Sequence, residues 1–300
     1  MLACLIVLLF VPINASAQGC SGDAVAVQIL GSGGPRINSD RADASYLLWV
    51  GGRARLLVDA GGGAFLRFGQ SEAKLADLAM VAITHLHPDH VSDLPALLWL
   101  SHAIRMAPLP ISGPSGNNAA PDFSVFLRRL FDEKSGAFPL LGATLGGAQG
   151  EFGGGVRLDV SVVDVGKGTP STVFDQQGIR VTALGIPHGP MPTLAYRVET
   201  AGRSVVFSSD QTGTDAKFVQ FAQGANALIM HLAIGAASTS PLHAPPSVVG
   251  QVARDAGAKR LILSHISIPN SALDPAIAEV KKSYAGPMTI GSDLQCTSVP

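Results

Sequence analysis

Short apolar runs broken by glycine, aspartate or histidine fill the chain after its first twenty residues, and runs of that length read as strands. Residues 24–30, 45–50 and 55–59 predict three successive strands, the last two separated by the Gly51-Gly52 turn, and 80–84 predicts a fourth. Helical apolar spacing follows over 92–106, with Ser92 placed as a cap, and again over 123–131. Residues 142–155 are glycine-rich without a repeat and read as a loop. Strands resume at 156–163, 179–185, 194–199, 204–208 and 226–230. A helix at 247–256, a strand at 260–263 and a helix at 275–284 complete the chain. Strands come in runs first and alternate with helices later. That order fits an α/β fold of two mixed β-sheets packed face to face with helices outside, an αββα sandwich.

The first residues break the pattern. Residues 2–13 form an apolar stretch too short to span a bilayer comfortably, and Ala15-Ser16-Ala17 behind it is an A-x-A cleavage pattern. This predicts a signal peptide over 1–17 and one domain over 18–300, periplasmic or secreted, without a stable membrane span in the mature form. The positively charged start of such peptides is missing, because no Lys or Arg precedes Arg36. The competing reading is a buried N-terminal strand or helix. With Cys4 inside the signal, Cys20 and Cys296 are left as an even pair, which in an oxidising compartment reads as a disulfide joining the two ends. The alternatives are two unpaired thiols, or lipid-modified Cys20 behind the poor lipobox Ala17-Gln18-Gly19.

Composition narrows the class. Charged residues are only 14% of 300 and hydrophobic ones 47%, which excludes disorder. The net charge of -1 argues against a polyanion binder.

The chemistry concentrates at Thr84-His85-Leu86-His87-Pro88-Asp89-His90, an H-x-H-x-D-H run directly after a predicted strand. In an extended segment residues i and i+2 point the same way, so His85 and His87 can bind one ion together. Pro88 bends the chain, and Asp89 and His90 are then placed to grip a second ion nearby. Imidazole and carboxylate without thiolate suit zinc and also accept iron or manganese.

The run resembles the leading signature of the metallo-β-lactamase superfamily of dinuclear metallohydrolases. Gly31-Ser32-Gly33-Gly34-Pro35 and Leu57-Val58-Asp59-Ala60-Gly61 are similar to two further signatures, so the resemblance covers nearly the whole mature chain. It implies a third ligand for the first metal at His188, a bridging carboxylate at Asp210 and a last ligand at His265, each ending a predicted strand. Metal one would then lie on His85, His87 and His188, and metal two on Asp89, His90 and His265, with a hydroxide between two divalent ions, zinc first. Asp59 would orient a ligand histidine.

A carboxylate at Asp210 resembles the ribonuclease Z, phosphodiesterase and arylsulfatase branch rather than β-lactamases with a thiolate in the second site. In that branch a histidine before a helix donates a proton or contacts the oxyanion, and His243 matches it. His243 and Asp89 are the expected catalytic residues. Two departures stand out. His231 replaces a glutamate usual in ribonuclease Z, which puts a relay with His243 in doubt. The 22 residues from His188 to Asp210 leave no room for the tRNA-gripping arm. The expected function is an exported hydrolase of a small phosphodiester or sulfate ester, with no tRNA partner and a homodimer left open. Lactone or β-lactam hydrolysis, ribonuclease Z-type cleavage and a non-catalytic metal-binding scaffold are the alternatives. His102 reads as a histidine flanking the core.

Overall fold

The computed structural model describes residues 20, 22–99, 107–146 and 156–300. The expected signal peptide, His102, the end of the helix expected over 92–106 and most of the 142–155 loop lie outside them.

The first half builds one sheet. Strands β1 (Val25–Gly31), β2 (Ser45–Val50) and β3 (Arg53–Val58) are antiparallel neighbours, and β4 (Met80–Ala82), β5 (Leu109–Pro114) and β6 (Leu158–Val163) extend them in parallel. Between them come α1 (Ala64–Gln70), α2 (Pro88–Val91), α3 (Leu94–Trp99) and α4 (Phe123–Phe131). In the second half β7 (Ser171–Gln176), β8 (Ile179–Ile186), β9 (Thr193–Thr200) and β10 (Arg203–Phe207) form antiparallel pairs. Helix α5 (Ala216–Phe221), β11 (Ala227–Leu232), α6 (Pro246–Asp255), β12 (Leu261–Ile266), α7 (Asn270–Ser283) and β13 (Met288–Ile290) follow, and β14 (Cys296–Ser298) returns to the first sheet beside β1. The sheet orders are β14-β1-β2-β3-β4-β5-β6 and β13-β12-β11-β10-β9-β8-β7.

Period-two alternation explains the layers. Along β1, Val25, Val27 and Ile29 face the second sheet, where they meet Tyr196, Val205 and Phe207, while Ala26 and Leu30 face the helix side with Trp49 and Phe123. The second sheet repeats this, with Leu228, Met230 and Leu263 turned outward onto Phe218, Val249 and Val280. Helices therefore cover both outer faces, as the order of elements predicts.

Strand β5 was not expected. Pro110, Gly113 and Pro114 make residues 109–114 look like a loop, yet its partner β6 and the short β4 hold it inside the sheet. Proline is rare there because it removes a ladder donor, so local propensity lost to tertiary pairing.

Cys20 and Cys296 form a disulfide across 276 residues, with Cα atoms 5.7 Å apart. Closing so long a loop removes much entropy from the unfolded chain. Reduction, or Cys20→Ser with Cys296→Ser, should lower unfolding free energy by about 2–4 kcal/mol in urea titrations. Beside it, Asp293 accepts from the Ser32 amide and hydroxyl, the Ala42 amide and Arg67 Nε at 2.7–3.1 Å, tying the C-terminal segment to the turn after β1.

No helix among the described residues is long and apolar enough to cross a membrane.

Candidate metal centre

Strands β3, β4, β8, β10, β11 and β12 end at the same edge of the sandwich, and the residues just past them converge there. Thr84 and His85 follow β4, His188 follows β8 and Asp210 follows β10, while His231 and His265 lie at the ends of β11 and β12. Helix α2, with Pro88 at its first position, sets Asp89 and His90 inward. Seven of the eight histidines of the chain meet at this edge, and the eighth is His102.

His85, His87 and His188 make the first cluster. His87 Nδ1 lies 3.0 Å from His85 Nε2 and 3.4 Å from His188 Nε2. Asp89, His90, Asp210 and His265 make the second, with all ligand atoms within 4.8 Å of one another. Asp210 Oδ2 sits between the two, 3.3 Å from His265 Nε2, 3.6 Å from His90 Nε2 and 3.8 Å from His188 Nε2. The structure thus brings together all seven residues singled out as ligands. His243 joins them from the cleft side, its Nδ1 3.9 Å from Asp210 Oδ2.

Two observations test whether a pair of cations fits. The donors are imidazole and carboxylate without thiolate, suited to borderline and hard divalent ions. His90 Nε2 is buried and has no hydrogen-bond partner, although burying an imidazole nitrogen without one is costly. A cation among these atoms satisfies it, so the residues fit two divalent metal ions.

The supporting shell is built from backbone strain and one carboxylate. Asp59, Ser209 and His265 have φ of 58°, 54° and 49°, a left-handed conformation that side chains other than glycine rarely hold without compensation. Asp59 is buried and accepts from the Thr84 amide at 2.7 Å, the Thr84 hydroxyl at 2.8 Å and His90 Nδ1 at 2.8 Å. This is the orienting role expected of it. Gly61 allows that loop to approach, since a Cβ there would lie 2.1 Å from the Asp89 carbonyl oxygen. Thr84 was missed in the sequence, although its place between a strand end and His85 was the available signal.

Electrostatics follow from the crowding. Burial alone would lower the His90 pKa, but Asp59 and Asp210 hold it well above the usual histidine range. Burial would raise Asp210, but His265 and His90 keep it well below the usual carboxylate range. His85, beneath the cluster, is pushed well down by burial and by His90. Burial brings His243 to about 4 and His231 to about 3. Both imidazoles are neutral near pH 7.

His231 does not form the relay whose existence its sequence put in doubt. Its Nδ1 lies 3.1 Å from the Ser209 carbonyl oxygen and its Nε2 accepts from the Ala244 amide at 3.0 Å, so neither nitrogen reaches His243. Only ring contact remains, with centroids 5.3 Å apart.

Gly34 touches the far side of the second cluster. A Cβ there would lie 2.4 Å from both His265 Cε1 and Ser267 Oγ. Gly34→Ala should therefore displace His265 and weaken binding of the second metal by about tenfold or more, read by zinc titration against a chelating dye.

Comparison with known proteins places this geometry. The profile described as "Beta-lactamase superfamily domain" matches residues 143–266, and one described as "Anti-Pycsar protein Apyc1" matches residues 25–103. The ribonuclease Z of Mycolicibacterium paratuberculosis is 29% identical, over 92% of this chain and 98% of that protein. The ribonuclease Z of Mycobacterium marinum is 30% identical, over 68% of this chain and 69% of that protein. Among solved structures, the metallo-β-lactamase fold protein YhfI of Bacillus subtilis and the short form of human tRNase Z each superpose with a TM-score of 0.70 at 21% identity, covering 92% of this chain and 99% of theirs. These relatives overturn the expectation of a small-molecule ester substrate with no tRNA partner. That expectation rested on net charge and a missing arm, whereas the likeness to proteins named ribonuclease Z runs along almost the whole chain. Net charge is a whole-molecule sum and does not describe the surface beside the metals. By these matches and this fold, the chain belongs to the metallo-β-lactamase superfamily, in its ribonuclease Z-like branch.

Proposed function

We propose that the protein is a metal-dependent phosphodiesterase of ribonuclease Z type that hydrolyses RNA, tRNA-like transcripts included. The observation that carries this reading is the placement of Asp210 between the two histidine clusters, which suits a pair of cations sharing one carboxylate. Two divalent ions, zinc first, would be held by His85, His87 and His188 on one side and by Asp89, His90 and His265 on the other. Bound there, they supply an acidified water and neutralise charge on the phosphate.

The chain's own residues do the rest. Asp59 fixes the ring of His90 by accepting a hydrogen bond from its Nδ1–H, which leaves Nε2 facing the cluster. The Leu242 carbonyl, 2.8 Å from His188 Nδ1, does the same for His188. His243, partly exposed on the cleft side with Nδ1 unpartnered, is neutral in the free protein, and the negative charge of a phosphate bound beside it would raise its pKa so that the protonated ring can serve the departing ribose oxygen as acid. A groove of about 350 Å³ lined by Asn117, His188, Pro190 and Lys217 gives a neighbouring nucleotide room beside the first cluster. The short stretch from His188 to Asp210 holds only β9, β10 and their turns. It bears on how RNA is gripped, not on the chemistry.

The proposal extends to compartment. The Cys20–Cys296 disulfide supports an oxidising environment, and with a signal peptide over 1–17 it favours an exported enzyme whose single domain spans 18–300.

The test is a substrate panel on metal-loaded protein. Precursor-tRNA transcript and bis-p-nitrophenyl phosphate should both be cleaved, and cleavage should stop with chelator and return with zinc or manganese. Turnover of nitrocefin or a lactone with neither phosphodiester touched would overturn the reading.

A further inference from the structure

Asp210 and His243 sit on different loops, yet their backbones are joined through one buried side chain. The His231 ring spans from the carbonyl of Ser209, directly before Asp210, to the amide of Ala244, directly after His243. A backbone amide can only donate, so His231 Nε2 is an acceptor and the ring proton is on Nδ1, from which it donates to Ser209. The fit leaves no freedom of tautomer. Ser209 has a φ of 54° and does not rest easily in that conformation, so a bond to its carbonyl has strain to offset. The Ser209 carbonyl also accepts from the Ser208 hydroxyl at 2.8 Å, and the Ala244 amide is shared with the Gln211 carbonyl at 2.7 Å. Both neighbours of Asp210 are thus clamped to the loop of His243, and His231 is the only side chain that holds both loops at once among the hydrogen bonds of the described residues.

We infer that His231 is a positioning residue: a neutral imidazole staple that keeps the carboxylate of Asp210 and the ring of His243 in register through backbone bonds. This rests on the proposed phosphodiesterase reading for its effect on turnover, while the staple itself rests on geometry alone. It also explains how the chain does without a relay carboxylate at position 231. The register is set through the main chain instead of through a side-chain relay.

The experiment joins a direct view of the ring with three variants. In the wild-type protein, long-range ¹H–¹⁵N spectra should show the His231 proton on Nδ1 and in slow exchange. At saturating zinc, His231→Ala should lower kcat on RNA by about 10–100-fold with KM changed less than about threefold. On bis-p-nitrophenyl phosphate, whose leaving group needs no proton, the loss should be about tenfold smaller. His231→Asn, which retains a donor near Ser209, and His231→Gln, which retains an acceptor near Ala244, should each restore part of it. A ring proton on Nε2, an unchanged kcat on RNA, or equal losses on both substrates would overturn the inference. If the wild-type protein cleaves neither phosphodiester, the functional reading fails by itself. The staple is then judged by the ring spectra and by the second zinc, whose affinity should fall about tenfold in His231→Ala; unchanged affinity would refute it.

Discussion

Replacing Asp210 by alanine should empty the centre of its second metal, loosen the first, and cut phosphodiester cleavage by about 10³-fold or more, because water outside a cation's field is a poor nucleophile at neutral pH. The argument is geometric. One carboxylate oxygen lies within 3.3–3.8 Å of Nε2 atoms from His265, His90 and His188, and among the described residues it is the one carboxylate within 4.0 Å of imidazoles from both clusters. Its charge is also what makes the crowded imidazoles tolerable, since it is buried and held ionised by His265 and His90 despite that burial. Among the described residues, alanine leaves His188 without a carboxylate beside it and the Nε2 atoms of His90 and His265 with Asp89 alone, at 3.6 and 3.1 Å. Metal analysis should report one ion or fewer per chain where the wild type holds two. Thermal unfolding of metal-free protein separates this from simple loss of fold. His87→Ala, which removes the Nδ1 that lies 3.0 Å from His85 Nε2 and 3.4 Å from His188 Nε2, should lose the first metal and activity to a similar extent. Full activity in metal-stripped wild-type protein would defeat the whole account.

Most of this centre was legible because its parts lie at strand ends. A run such as His85 to His90 is informative by spacing alone, since i and i+2 residues in extended chain share a side. His188, Asp210 and His265 each close an apolar run, and their strands run the same way through one sheet, β10 to β12 by parallel pairing and β8 by alternation across β9, so the ends reach one edge. The αββα layering was likewise readable, because alternate residues of β1 and β2 divide between the two cores. Local signals failed where tertiary pairing overrode them. Pro110 and Pro114 hid β5, and the short helices α1 and α5 carry too few turns for a periodic pattern to show. The shift in His231's role was invisible for another reason. Whether an imidazole faces a neighbour's ring or two backbone groups depends on loop courses that no spacing encodes. Global charge and an absent arm pointed away from tRNA, and neither reports on the groups beside the metals.

Asp59→Asn should cost activity by about 10²–10⁴-fold with little change in fold, and it is the sharper test of how the second metal is held. Asp59 accepts three bonds at a buried position, two from Thr84 and one from His90 Nδ1. Asparagine keeps the shape and can still accept from the Thr84 amide through its oxygen. Its amide nitrogen, however, then faces His90 Nδ1 as a donor. The His90 ring must take the opposite tautomer, with its proton on Nε2, and that is the atom turned toward Asp89 and Asp210 at 3.6 Å. A protonated Nε2 cannot bind a cation, so the lesion is a misplaced proton instead of a lost contact. The loss of negative charge offsets part of this, because Asp59 is one of the two carboxylates that hold His90 above its usual range against burial, and without it the ring gives up a proton more readily. Zinc titration should show second-site affinity down by about 10–100-fold, with first-site affinity falling less, since Asp59 reaches that site only indirectly, through the Thr84 hydroxyl 3.0 Å from His85 Nδ1. Activity should partly return at high zinc, where mass action drives the proton off. Asp59→Ala removes the acceptor altogether and leaves the Thr84 amide unpaired, so it should lower stability as well, by about 1–3 kcal/mol in urea titrations. If Asp59→Asn instead binds both metals as tightly as the wild type and turns over RNA at the same rate, His90 is not a ligand through Nε2. The second ion would then have to be held by Asp89, Asp210 and His265 alone.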